Sequence, residues 1–288
     1  MDDADFRRVH RRELADDRVS GASQLARQAL DSLTEFAGSC SDDEIDPLRR
    51  TLLDFAEDLQ YARPNMAPIF NLVQRWADRV ERLDDDDIQR FRREAATIAQ
   101  DLSDASIRAV GDVADHAARL IGPGATIVTH SLSTTVQATF RALVPHGVHA
   151  IVAESRPGLE GRRQAQHLDH FGIPVAFITD AQLGHFCQQA TVALVGADTL
   201  LQDGSVVNKA GTYLLALAAR DTGIPFYVCC ESFKQVPYGR TGFDLEELDA
   251  GELDAPRGRN ITPHNVYFDI TPARLVNAWI NEEGVRKA

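Results

Sequence analysis

The chain has 288 residues, enough for one large or two medium domains with a substantial core. Its 44% apolar and 25% charged fractions are those of a soluble globular protein, and its net charge of −13 disfavours non-specific binding to nucleic acid or anionic membranes. No apolar run reaches the ~18 residues of a membrane span. The charged opening "MDDADFRRVHRREL" lacks the apolar core of a signal peptide, so a cytoplasmic protein with no membrane and no direct nucleic-acid partner is predicted.

From about Ala22 to Leu120 apolar residues recur at three- and four-residue spacing, which predicts a helical domain over residues 1–120. The runs are "ASQLARQALDSLTEFAG", "DPLRRTLLDFAEDLQYA", "APIFNLVQRWADRVERL" and the long "DDIQRFRREAATIAQDLSDASIRAVGDVADHAARL". Asp46 before Pro47 reads as a helix start, with Pro47 at the first helical position, and Gly38 reads as the stop of the first run. The acid cluster Asp84 to Asp87 reads as a solvated loop and helix start.

After "IGPG" the period changes. Short apolar strands are predicted at "ATIVTH", "HAIVAE", "PVAFIT", "TVALVGA", "PFYVCC" and "NVYFDI", several separated by helical segments such as "GLEGRRQAQHLDHFG" and "NKAGTYLLALAARDTG". The fold class is therefore α/β, with residues 121–288 forming a doubly wound, mainly parallel sheet domain. Ligands of such sheets bind outside the carboxyl ends of the strands.

Those ends are polar. The first strand is followed by His130, Ser131, Ser133 and Thr134, the second by Glu154, Arg156 and Glu160, the fourth by Asp198, Asn208 and Lys209, the fifth by Glu231 and Lys234. Only three lysines occur in the chain, and two of them, Lys209 and Lys234, fall on this rim. Together with Arg156 and the start of the helix after Ser133, they suit a phosphate. The glycine patterns of dinucleotide and nucleoside-triphosphate sites are absent, and Ser131 lies in no G-x-S-x-G elbow. The cysteines Cys40, Cys187, Cys229 and Cys230 lack zinc-type spacing and read as reduced, buried thiols, so neither metal nor cofactor is expected. Each rim residue also has a plain structural alternative. Asp198 could cap a turn, Asn208 and Lys209 could open a helix, Arg156 could pair with Glu154 or Glu160, and Ser131 could satisfy nearby backbone.

The segments "ESRPGLEG", "GADTLLQDGSVVNKAGTY", "PFYVCCESFK" and "FDITP" resemble the family uniting the alpha, beta and delta subunits of translation initiation factor 2B with ribose-1,5-bisphosphate and methylthioribose-1-phosphate isomerases. "RVSGASQLARQAL" and "ARPNMAPIFNLVQRW" extend the resemblance over nearly the whole chain. It implies a Rossmann-like second domain, pairing through that domain into a homodimer or larger even-numbered assembly, and a phosphorylated sugar or nucleoside monophosphate as ligand. It also implies Asp198 and the Ser131 position as catalytic in the isomerases, with Arg63, Ser133, Thr134, Arg156, Asn208, Lys209 and Lys234 holding the ligand. Two departures stand out: Ser131 replaces the isomerase cysteine, and Ser20 replaces a phosphate-binding arginine that Arg18 or Arg27 would have to supply. The sequence thus predicts a phosphosugar- or nucleotide-binding protein like the regulatory subunits. The alternatives are an aldose-1-phosphate to ketose-1-phosphate isomerase, or a scaffold subunit with an empty site.

Overall fold

Heptad-like spacing folds the first part of the chain into helices that bury one stripe each. The structure, a computed structural model, describes residues 2–17, 19–236, 245 and 247–288. Helix α1 (Asp3–Asp16) is followed by α2 (Ala22–Ser39), α3 (Ile45–Gln60), α4 (Ala67–Glu81) and α5 (Ile88–Ile121). Leu25, Leu30, Leu33 and Phe36 of α2 are buried, as are Leu48, Leu52 and Phe55 of α3 and Leu72, Val73 and Trp76 of α4. Phe36 and Phe55 meet edge to face at 4.9 Å between centroids, and the Trp76 indole donates to the Ala95 carbonyl at 2.9 Å.

Three local readings are corrected here. Helix α1 lies outside the expected helical stretch because charged residues dominate it; Phe6 and Leu14 alone are buried along it, and Asp2 caps it by accepting from the Asp5 N–H at 2.7 Å. Helix α3 starts at Ile45, which puts Pro47 at its third position, and Asp46 is not its cap. Gly38 lies inside α2, which runs on to Ser39.

The chain divides into two compact units, Met1–Arg108 and Ala109–Ala288. The division falls within α5, earlier than the 120/121 boundary expected from the change of period. The reason is that Val113, Ala117 and Ala118 at the end of α5 belong to a core of the sheet unit.

The sheet unit runs β1 (Thr126–Thr129), α6 (Thr134–Leu143), β2 (His149–Ala153), α7 (Glu160–His170), β3 (Val175–Ile178), α8 (Leu183–Phe186) and β4 (Val192–Val195). It continues through β5 (Thr199–Leu200), β6 (Val206–Lys209), α9 (Thr212–Thr222), β7 (Phe226–Cys229), β8 (Phe268–Thr271), β9 (Ala278–Asn281) and β10 (Gly284–Lys287). The main sheet has the order β10-β9-β7-β4-β1-β2-β3, parallel except for the β9–β10 hairpin. From β1 the chain moves outward through β2 and β3, then returns to build β4, β7 and β9 on the other side. The switch point is between β1 and β4.

Alternation along the strands feeds two cores, as a sheet covered on both faces requires. Val128, Ile151, Ala193 and Val195 pack on one side with Leu215 and Ala216 of α9, and Ile127, Ala150, Val152 and Leu194 on the other with Val136 and Phe140 of α6.

The predicted strand at "NVYFDI" is present as β8, but it joins β5 and β6 in a separate antiparallel sheet of three strands. Asn208 and Lys209 consequently end a strand; α9 begins three residues later. Strands β5, β6, β9 and β10 are not legible as strands in the sequence, because β5 has two residues and "VVNK", "AWIN" and "GVRK" each break an apolar run with polar residues.

Candidate functional site

At the switch point the backbone is tightly constrained. Ser131, directly after β1, has a φ of 67°, and Ser155, after β2, has a φ of 64°. Left-handed backbone costs a non-glycine residue of order 1–3 kcal/mol and persists where surrounding structure enforces it. Here the Ser131 N–H donates to the Ser155 hydroxyl at 2.7 Å, and one oxygen of Asp180 accepts the Ser155 N–H at 2.8 Å while the other takes that of Arg156 at 2.7 Å.

His130 completes this brace. Its Nε2 lies 2.8 Å from the Ala210 carbonyl and its Nδ1 3.2 Å from the Ser155 hydroxyl. A carbonyl only accepts, so Nε2 carries a proton, while the Ser155 hydroxyl lies 3.2 Å from both Nδ1 and the Ala153 carbonyl. Burial lowers the His130 pKa, and the ring is held neutral. Gly211 permits this fit: a Cβ there would stand 2.7 Å from Nε2.

Ser133 caps α6, accepting from the Val136 N–H at 3.3 Å. Its hydroxyl would lie 2.4 Å from a Cβ at position 196, so only glycine lets the end of β4 approach it. Thr134 opens α6, where the first N–H groups have no intrahelical acceptor. Asp198 stands half-buried past β4, its N–H bonded to the Val207 carbonyl at 3.0 Å. Ser133, Thr134 and Asp198 therefore all follow β1 and β4 at the switch point, with Ser131.

The two rim lysines are buried and paired. Lys234 reaches Glu231 at 2.8 Å, and Glu231 also accepts from Thr135 of α6 at 2.9 Å. Burial opposes the charge on Lys234, but Glu231 and Asp198 outweigh it and raise its pKa. Lys209 reaches both oxygens of Glu160, at 3.0 and 3.2 Å, and its ammonium lies 3.7 Å from the centre of the Tyr267 ring. The Tyr267 hydroxyl donates to the same carboxylate. Burial lowers the Lys209 pKa, with Glu160 opposing. Asn208 donates to the Thr212 hydroxyl at 2.9 Å. Arg156 is exposed, its guanidinium donating to the Leu253 carbonyl at 3.2 Å, and Glu160 is committed to Lys209.

Arg63 belongs to the helical unit, where it is buried and donates to the Asp17 carbonyl at 2.8 Å. Arg27 donates to Ser106 at 3.3 Å, and Arg18 lies outside the described residues. All four cysteines are reduced and buried. Burial pushes Cys229 and Cys230 up to about 12, so neither supplies a thiolate in place of the one missing at Ser131.

Sequence reasoning missed Ser155, Asp180, Tyr267 and Asp269. Asp269 holds the start of α9, accepting from the Gly211 N–H at 2.7 Å and the Tyr213 N–H at 3.0 Å. Burial pushes its pKa up to about 6 against the pull of those donors. Its signal was the aspartate of "FDITP"; Ser155 and Asp180 left none, because their roles depend on two strand ends meeting.

Constrained polar residues gather at the switch point of a doubly wound sheet, the place where α/β proteins of this class bind their ligands. Residues 18–288 match the Initiation factor 2 subunit family, and the chain belongs to that family. It is 36% identical over 278 residues to a Pyrococcus horikoshii protein described as translation initiation factor eIF-2B subunit 2-like, covering 95% of this chain and 94% of that one. It is 30% identical over 288 residues to ribose 1,5-bisphosphate isomerase of Haloterrigena turkmenica, covering 94% and 87%. Its fold superimposes on the crystal structure of Pyrococcus horikoshii OT3 translation initiation factor eIF-2B with a TM-score of 0.82 at 33% identity, covering 97% and 96%. The relatives thus include both factor-like proteins and a sugar-phosphate isomerase. Among the described residues no helix is long and apolar enough to cross a membrane.

Proposed function

We propose that this protein binds a phosphorylated sugar or nucleoside monophosphate in the crevice between the ends of β1 and β4, as a binding protein of the kind the factor-like relatives represent. One observation carries the reading: the backbone of Ser131 is braced in a left-handed conformation, and its neighbour His130 is engaged at both ring nitrogens. The ring nitrogens of His130 face the Ala210 carbonyl and the Ser155 hydroxyl, burial lowers its pKa, and the Ser131 N–H donates to that same hydroxyl. A serine needs an adjacent base to transfer a proton. Binding needs none: the Ser131 and Ser133 hydroxyls and the first amides of α6 suit an anionic oxygen as they stand. Asn208, Lys209, Lys234 and Arg156 are the further ligand candidates.

A thermal-shift series with sugar phosphates and nucleoside monophosphates tests this. A ligand at ~100 times its dissociation constant stabilises the native state by roughly 2.7 kcal/mol. A midpoint that no phosphorylated compound raises refutes the reading.

Isomerase activity is the second reading. It is favoured by Asp198, which keeps the acidic position of the enzymes and follows β4 at the switch point. Its chemistry would move a proton at C2 through Asp198 and need a second donor at the ring oxygen.

We also infer that two copies associate through the sheet unit. Leu214 and Leu217, 51% and 41% exposed one turn apart on α9, form an apolar pair that a second copy would cover. Size-exclusion chromatography with light scattering is expected to give an even-numbered oligomer at micromolar concentration, and a monomer there would refute it.

A further inference from the structure

The Lys209–Glu160 pair changes what the rim can hold. Both side chains are almost fully buried, and Glu160 is bound by Lys209 at two distances of hydrogen-bond length and by the Tyr267 hydroxyl. The ammonium is thus neutralised before any ligand arrives. Asp180 and Glu252 add two more carboxylates close enough to act on Lys209, and His130 beside them carries no charge. Lys234 is likewise matched, by Glu231 and Asp198. Arg156 is exposed, and an exposed guanidinium contributes little selectivity in water. The anion-attracting part of the rim is therefore the start of α6, while the end of β6 carries an excess of negative charge.

We infer that Glu160 is a specificity-determining residue: by holding Lys209 it excludes a second phosphate from the β6 end of the crevice and restricts the ligand to a phosphomonoester whose remainder is uncharged. A phosphate could reach Lys209 only by prying it from Glu160, leaving that carboxylate buried and unmatched beside the newcomer. An uncharged hydroxyl meets no such opposition. The inference rests on the crevice being a phosphate-ligand site, and selectivity here comes from repulsion as much as attraction.

Isothermal titration with adenosine 5′-monophosphate, ribose 5-phosphate and ribose 1,5-bisphosphate tests it on the wild type and Glu160→Gln. The glutamine amide keeps an oxygen for Lys209 and Tyr267 but removes the charge. The wild type is expected to bind one of the two monophosphates at least about tenfold more tightly than the bisphosphate. Glu160→Gln is expected to raise bisphosphate affinity by about tenfold while changing monophosphate affinity little. Equal or tighter bisphosphate binding by the wild type overturns the inference and leaves the binding function standing. An unchanged preference in a folded Glu160→Gln protein does the same. If that variant does not fold, the wild-type preference alone decides. Binding of none of the three compounds overturns the functional reading and the inference with it.

Discussion

Lys209→Ala is expected to destabilise the sheet unit by about 3–5 kcal/mol, the usual cost of removing one partner of a buried ion pair. Lys209 is 2% exposed and its partner Glu160 is buried at the start of α7, so truncation leaves a carboxylate in the interior that keeps, among the described residues, the Tyr267 hydroxyl as a donor. The loss is larger than deleting the methylene stem alone, because an uncompensated charge is what remains. Replacing both members together, Lys209→Met with Glu160→Leu, removes the charge and keeps the volume, and is expected to be nearly neutral. Native-state hydrogen exchange over β6 and α7 measures both. A single variant as stable as the wild type would show that water reaches Glu160 and that the pair is not the buried unit described.

Ser131→Cys is expected to raise aldose-to-ketose isomerisation of ribose 1,5-bisphosphate or methylthioribose 1-phosphate from a weak or absent level by a large part of the ~10²–10⁴-fold that a positioned acid or base supplies. A thiol near its ordinary pKa of about 8.5 can give up and regain a proton near neutrality, whereas a hydroxyl without a base cannot. Position 131 is only half-buried, so a thiol there would escape the burial that pushes Cys229 and Cys230 up to about 12. Asp198→Asn in the same background should remove the gain. A steady-state assay of the four proteins decides the matter: vigorous wild-type turnover that survives Ser131→Ala would mean that another residue carries the proton.

Elements with strong periodicity could be read from the sequence. The apolar stripes of α2 to α5 and the runs of β1, β2, β4 and β7 announce themselves because each buries a face or both faces, and β3 is legible from its apolar run alone. Strands β5, β6, β9 and β10 could not be, since short runs of mixed polarity such as "VVNK" carry no period. The same limit applies to the site. The rule that ligands sit at strand ends singled out Ser131, Ser133, Thr134, Asp198 and Lys209 as candidates, but not what faces them. That Glu160, already visible after the second strand, would close on Lys209 depends on β6 turning back beside α7, a pairing 49 residues apart. Likewise the Ser131 conformation is enforced by Ser155 and Asp180, which no local pattern links to it.

The four reduced cysteines have a practical consequence. Cys40 lies in the helical unit, and Cys187, Cys229 and Cys230 in the sheet unit, all of them shielded from solvent. With pKa values pushed up to about 11 for Cys40 and Cys187 and about 12 for the other pair, each is only faintly ionised at pH 8, so alkylating reagents find almost nothing to attack in the native molecule. Each thiol becomes a nucleophile when its own neighbourhood opens. The chain thus carries a built-in set of clocks: mapping which cysteine takes up iodoacetamide first, at rising denaturant, times the breathing of each unit separately and without any introduced label.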